Sequence, residues 1–317
     1  MWRDVDPRDA DRDRPTLSRG SRAGTTGPSE RDATSDPREA LTRELSLPRG
    51  PARERVRIRD HEYELRGSEV RTLAAAGTFR VVPSADLREQ YRSAGMQDRD
   101  LARLRRQGLV RTIPYVVGRT RTTLVTLTDR GREVLEESRR VRGNQHGQAF
   151  YAGISKPREL AHDTRLYRAY QQAAERLSER GARVRRVVLE EELKRDYQRF
   201  LQASNRGRRD STGRPDRAAE EIERWARERH LPYVDGHVEF PDVRIEYDER
   251  DGRRGVEDVE VTTPHYRGAH AAAKARAGFA CYRSVGARVG GMRLGLAAGG
   301  RRGGRGFDPR VAEEFLQ

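Results

Sequence analysis

Asp242 and Glu260 are the two residues of this chain whose types and spacing best suit chemistry. In HVEFPDVRIEYDERDGRRGVEDVEVTT (237–263), Val243, Ile245 and Tyr247 alternate with Asp242, Arg244 and Glu246. After a polar, glycine-containing loop, Val259 and Val261 alternate with Asp258, Glu260 and Thr262. Period-two alternation on both sides of a loop predicts an antiparallel hairpin with one apolar and one acidic face. With the loop at 248–254, a symmetric register sets Asp242 opposite Glu260 and Arg244 opposite Asp258. Opposed Cβ atoms lie roughly 5 Å apart, which is unfavourable for two carboxylates. A divalent cation with oxygen ligands relieves that repulsion, and an Asp/Glu pair, with Asp258 as a further ligand, is the minimal Mg²⁺ site for phosphodiester hydrolysis. A slip of one residue would put the carboxylates on opposite faces and remove the site.

Each of these residues also has a plain structural reading. Asp242 after Pro241 is a common way to start a strand, and Asp258 and Glu260 suit the solvent face of an edge strand. His237, His265 and His270 do not have a diagnostic metal-ligand spacing. Lysine is scarce: of 65 basic residues only Lys156, Lys194 and Lys274 are lysines. Arginine is thus the default cation, and a lysine marks a place where an amine is needed or is simply a surface residue.

A second kind of chemistry lies upstream. In DLARLRRQGLV (100–110), Leu101 and Leu104 form an apolar stripe, while Arg99, Arg103 and Arg106 recur at helical spacing on another face. A cationic helix face suits the major groove of double-stranded DNA, where arginine reads guanine and neutralises phosphate. The elements that must position it are readable. Ser68 and Ser84 are candidate caps for two preceding helices, and Asp98 or Asp100 opens the third, which stops at Gly108. LVRTIPYVV (109–117) and TLVTLT (123–128) then form a hairpin, with Arg119 and Arg121 at its tip able to reach an adjacent backbone or minor groove. Thr128 or Asp129 caps a closing helix. Farther on, Leu166, Tyr170, Ala173, Ala174 and Leu177 mark a long helix ended by Gly181, VRRVVL (184–189) a short strand, and Ile222 with Trp225 the inner face of another helix.

DLARLRRQGLV followed by GRTRTTLVTLTDRGREVLEE resembles the third helix, wing and following helix of MarR- and PadR-type winged-helix regulators, over roughly residues 66–140. Pro241-Asp242, with Glu260 on the next strand, resembles the PD-(D/E)xK nuclease superfamily. That resemblance implies metal binding by the two acids and a lysine two residues after the second; Thr262 stands there instead. Some members carry the amine on the following helix, which points to Lys274 in GAHAAAKARAGFACY. The superfamily's glutamate on its first core helix would be Glu191 or Glu192, with Lys194 nearby. A winged helix followed by a degenerate domain of this kind resembles the replication-relaxation family of plasmid and mobile-element proteins, over residues 60–285.

Composition bounds these readings. The chain has 317 residues, a net charge of +15, a single cysteine (Cys281) and 36% charged residues. No run approaches the roughly 18 apolar residues of a spanning helix, and the charged N-terminus has no signal-peptide core. A cytoplasmic protein with no membrane contact is expected. Residues 1–50 are charge-balanced, so the excess charge lies in the part expected to fold and favours a polyanionic partner.

The expected class is α+β: a disordered tail (1–55), a winged helix-turn-helix domain (56–143), a mixed α/β nuclease-like domain (150–298), and a Gly/Arg-rich segment with a terminal helix (299–317). The expected function is DNA binding in plasmid or mobile-element replication, mobilisation or transcriptional regulation, with the second domain used for DNA grip or assembly and a homodimer as one possible state. Two alternatives remain: a Mg²⁺-dependent endonuclease using Asp242, Glu260 and Lys274, and a protein-interaction module that does not touch DNA.

Overall fold

In the computed structural model of the chain, which describes residues 37–117, 120–139, 147–154, 159–205, 217–262 and 277–283, Leu41, Leu45 and Leu47 are buried. All described residues belong to the unit Ser35–Gln317. Pro37–Thr42 is a 3₁₀ turn, Leu45 bridges to Arg139, and the Ser46 amide donates to the Ser138 carbonyl at 2.7 Å. The expectation of disorder through residue 55 therefore fails from residue 37 onward. A composition averaged over fifty residues hides three leucines that join an apolar cluster built from distant parts of the chain.

Strands β1 (Glu54–Ile58) and β2 (His61–Leu65) form an antiparallel ribbon ahead of helix α1 (Gly67–Phe79). Strand β3 (Val82–Pro83) follows, then helix α2 (Ala94–Arg106), strands β4 (Val110–Val117) and β5 (Thr120–Leu127), and helix α3 (Asp129–Glu137). The sheet order is β3-β5-β4. Three of the predicted caps are corrected. Helix α1 starts at Gly67, with Glu69 reaching back to the Arg66 amide at 3.0 Å, and the Ser68 hydroxyl donates instead to Asp100 at 2.8 Å. The helix expected after Ser84 is a single 3₁₀ turn, Arg88–Gln90; the few residues between β3 and Ser93 are too few to repay helix nucleation. Helix α2 begins earlier than expected, with Ser93 accepting from the Met96 amide at 3.2 Å. Its stop at Gly108 (φ +70°) and the Thr128 cap of α3 are as expected.

The second half comprises α4 (Leu160–Glu179), β6 (Arg183–Leu189), α5 (Glu190–Leu201), α6 (Ala219–Glu228), the small ribbon β7 (Tyr233–Val234) and β8 (His237–Val238), then β9 (Val243–Asp248), β10 (Arg254–Thr262) and β11 (Ala280–Arg283). The sheet order is β11-β10-β9-β6; β6–β9 and β9–β10 are antiparallel and β10–β11 is parallel. The β9–β10 register sets Arg244 opposite Asp258, as the symmetric hairpin predicts. Helix α4 covers one face of this sheet. The other face is not the solvated acidic surface expected: α5, α6 and β7–β8 cover it, with Val188, Leu193, Trp225 and Phe240 in a second apolar cluster.

The expected boundary near residues 143–150 does not separate two cores. One apolar cluster runs from Leu41 and Leu45 through Phe79, Leu104 and Leu127 to Tyr170, Val187, Ile245 and Val259. Helix α4 is the joint: Tyr167 packs edge-on and Tyr170 tilted against Phe79 of α1, with ring centroids at 5.3 and 5.1 Å. Strand β6 is an edge strand, and its free backbone groups are met by side chains rather than by another strand. Gln148 both accepts from the Val187 amide and donates to the Val187 carbonyl, each at 2.9 Å, and Arg43 donates to the Val184 carbonyl. Such cover blocks strand addition at that edge.

Candidate functional site

The basic surface on α2 is built by burial of its opposite side. Leu101 and Leu104 enter the core, and Asp100, fully buried, accepts two bonds from Arg66 and one each from Arg53 and Ser68. That network anchors α2 to α1 and to the start of the ribbon, and turns Arg99 and Arg106 outward, where both are exposed. Arg103 differs from expectation. It pairs with Glu64 of β2 and is only partly exposed, so it fastens the helix to the ribbon. Arg105 takes its place on the exposed side.

Arg111 on β4 and Arg121 on β5 are also exposed. Arg130 of α3 lies exposed beside Gly108 at the end of α2. Arg121 sits opposite Val116, the most exposed of the large apolar side chains. Arg119 lies outside the described residues. None of Arg99, Arg105, Arg106, Arg111, Arg121 or Arg130 has a carboxylate partner among the described residues. Most arginines of the second half do, from the Arg176–Glu257 pair through Arg185–Glu246 to Arg244–Asp258.

The acidic cluster lies at one end of the second sheet. The described ladder stops at Val243↔Val259, and one step further in the same register come Asp242 and Glu260. Both are buried, at 8% and 2% exposure. Past the end of β9 the Val261 amide has lost its strand partner, and the Asp242 carboxylate accepts from it at 2.7 Å, meeting a buried donor that would otherwise be unsatisfied. The same carboxylate oxygen lies 3.0 Å from His162 Nε2, and His162 Nδ1 lies 3.5 Å from Asp163. His162 and Asp163 belong to the first turn of α4, and no local sequence signal links that turn to the start of β9.

The remaining candidates do not converge on this point. Asp258 gives both oxygens to Arg244, at 2.7 Å each. Glu192 pairs with Arg186, and burial raises its carboxyl above the ordinary value; Glu191 pairs with Arg80. Lys194 forms a surface pair with Glu190 at 2.7 Å. Lys274 lies outside the described residues. Among the described residues no group of three His, Cys, Asp or Glu side chains is arranged to hold a metal ion. The donors proposed for Mg²⁺ therefore do not fit it: Asp258 and Glu192 are neutralised by arginines, and Asp242 is held by His162 and the Val261 amide. Comparison with protein-family models, with curated proteins and with solved structures gives no match. No helix among the described residues is long and apolar enough to cross a membrane.

His162 carries a pH signature. Burial works against its charge, but the hydrogen bonds to Asp163 and Asp242 outweigh it and push the imidazole up to about 10 from 6.5. A group raised on folding contributes its full stabilisation below 6.5, and the contribution is lost as pH rises through about 10. Denaturant midpoints measured from pH 6 to pH 10 are expected to fall more steeply for the wild type than for His162→Gln. Parallel profiles would show that the imidazolium contributes nothing.

Proposed function

We propose that this protein binds double-stranded DNA, with α2 as the helix that enters the major groove and the β4–β5 hairpin as the wing of a winged helix-turn-helix. The observation that carries the reading is the segregation of unpaired charge. Among the described residues, Arg99, Arg105, Arg106, Arg111, Arg121 and Arg130 on α2, the hairpin and the start of α3 are exposed without carboxylate partners, whereas most arginines of the second half are in ion pairs, with Arg224, Arg250 and Arg254 the exposed exceptions there. Unpaired guanidinium groups on an exposed helix face and hairpin supply what phosphate contact and base reading require.

The second half has the strand order and acid positions that suggest a PD-(D/E)xK-like scaffold, used for grip or assembly rather than cleavage. What supports this use is that Asp258 and Glu192 are tied to arginines and Asp242 to His162. The resemblance to the replication-relaxation family supports a role like that of plasmid and mobile-element factors. A metal-dependent nickase remains the second reading, because Asp242 and Glu260 share one end of the sheet.

Supercoiled plasmid, assayed for gel shift and for nicking with Mg²⁺ or Mn²⁺, tests both. The expected result is a shift that weakens steeply with salt and no nicked product. Nicking abolished by Asp242→Ala would establish the second reading, and absence of any shift would leave the interaction module.

A further inference from the structure

Helix α2 carries two acids. Asp100 is buried in the network that holds the helix, and Asp98 stands exposed. Acids on the other helices often meet a cation three or four residues along: Asp129 with Arg132, Glu190 with Lys194, Asp196 with Arg199, Glu223 with Arg227. From Asp98 those two places hold Leu101, which enters the core, and Ala102. Asp98 has no ion pair or hydrogen bond among the described residues. A lone carboxylate on the same side as Arg99, Arg105 and Arg106 opposes phosphate attraction rather than adding to it, so general grip on DNA does not account for it.

Its place on the helix does. With about 100° between successive residues, Ala102 falls at the middle of the exposed side, with Asp98 and Gly95 to either side of it. Arg105 lies beyond Asp98, and Arg106 and Arg99 lie beyond Gly95. The middle of that side is therefore short, and the guanidinium groups stand along its margins. Gly95 is an independent sign. Glycine weakens a helix relative to alanine, yet the space where its Cβ would stand holds no atom within 4 Å, and its φ is not positive. Nothing inside the fold asks for glycine there; close approach of a ligand to the backbone does.

We infer, on the reading that α2 enters the major groove, that this short strip faces the base edges and that Asp98 reads a cytosine by accepting from its N4 amine. In the major groove only cytosine and adenine offer an amine donor. Adenine sets its N7 acceptor beside that amine, against the second carboxylate oxygen, and guanine and thymine offer only acceptors. The carboxylate thus rejects the other three bases by repulsion, which lowers affinity for DNA in general and fixes one position of the site. The arginines on the two margins meet the phosphate backbones on either side of the groove.

The test selects duplexes from a pool with a randomised centre, using the full chain as wild type, Asp98→Ala and Asp98→Asn, and sequences the bound fraction. Fluorescence anisotropy then follows on the enriched duplex with each of the four base pairs at the cytosine position. Wild type is expected to require cytosine at one position and to bind the thymine duplex at least about tenfold more weakly. Asp98→Ala should bind all four duplexes nearly alike and non-cognate DNA more tightly than wild type does. Asp98→Asn should move the preference at that position to adenine, whose N6 and N7 an amide can meet together. A carboxylate that served only the N-terminal end of the helix dipole would leave base preference unchanged in both variants. Wild type that binds duplex DNA without requiring cytosine, or Asp98→Ala with the wild-type preference intact, overturns the assignment and leaves DNA binding standing. No enrichment and no anisotropy change with any duplex removes the DNA-binding reading and the assignment with it.

Discussion

Changing Arg99, Arg105 and Arg106 together to alanine is expected to weaken binding to double-stranded DNA by at least about a hundredfold, since each lost arginine contact to base or phosphate is worth about 1–3 kcal/mol. The plot of log affinity against log salt should also become shallower by about 0.9 for each phosphate contact removed. Folding should be nearly untouched, because all three side chains are exposed and none is in an ion pair among the described residues, and such surface changes usually fall within about 0.5 kcal/mol. Arg103→Ala is the internal control. Its guanidinium is held by Glu64, so it should cost some stability and leave the salt slope close to wild type. Fluorescence anisotropy on a labelled duplex at several salt concentrations, alongside a denaturation curve for each variant, separates the outcomes. Unchanged affinity in the triple variant would remove α2 from the interface.

The contrast between Arg103 and Arg105 shows where sequence reading reaches its limit. The periodicity of Leu101 and Leu104 is a local property, and it orients α2 correctly. Arg99, Arg103 and Arg106 do share a side of an isolated helix. Which of them turns toward a neighbour depends on Glu64, on a ribbon almost forty residues upstream, and no spacing rule reports that. The β9–β10 register was legible for the opposite reason. It is set by alternation and one short loop, both local, and Arg244 faces Asp258 as a result.

The core shared by the two halves is partly legible in the sequence. Buried positions on α4 include Leu166, Tyr167, Ala169, Tyr170, Ala173, Ala174 and Leu177, a stripe wider than one sheet face needs. A helix apolar over so much of its circumference packs against two partners, and α4 indeed meets both α1 and the second sheet. The leucines at 41, 45 and 47 and the His162–Asp242 contact had no such signal. Leu41, Leu45 and Leu47 sit in a stretch without helical or strand periodicity, and Asp242 lies far from His162 in the chain.

Arg244 is where an acid that reads as a metal ligand can be told from one that serves the fold. Its guanidinium is 5% exposed, bidentate to Asp258, and donates further to the Arg229 and His230 carbonyls at 2.5 and 2.9 Å. It thus ties the chain leaving α6 to the centre of the sheet. Arg244→Met removes the partner and leaves Asp258 as a poorly solvated, uncompensated charge, with a cost of about 3–5 kcal/mol. Adding Asp258→Asn should recover much of that loss, because the stranded charge is gone, and Asp258→Asn alone should cost less than Arg244→Met. Denaturation of the two single variants and the double variant gives the coupling directly. If Asp258 instead held a metal, the wild type would lose stability on chelation and Arg244→Met would gain metal affinity. Additive single-variant effects with no recovery in the double variant would mean that the pair is not the unit that holds α6 to the sheet.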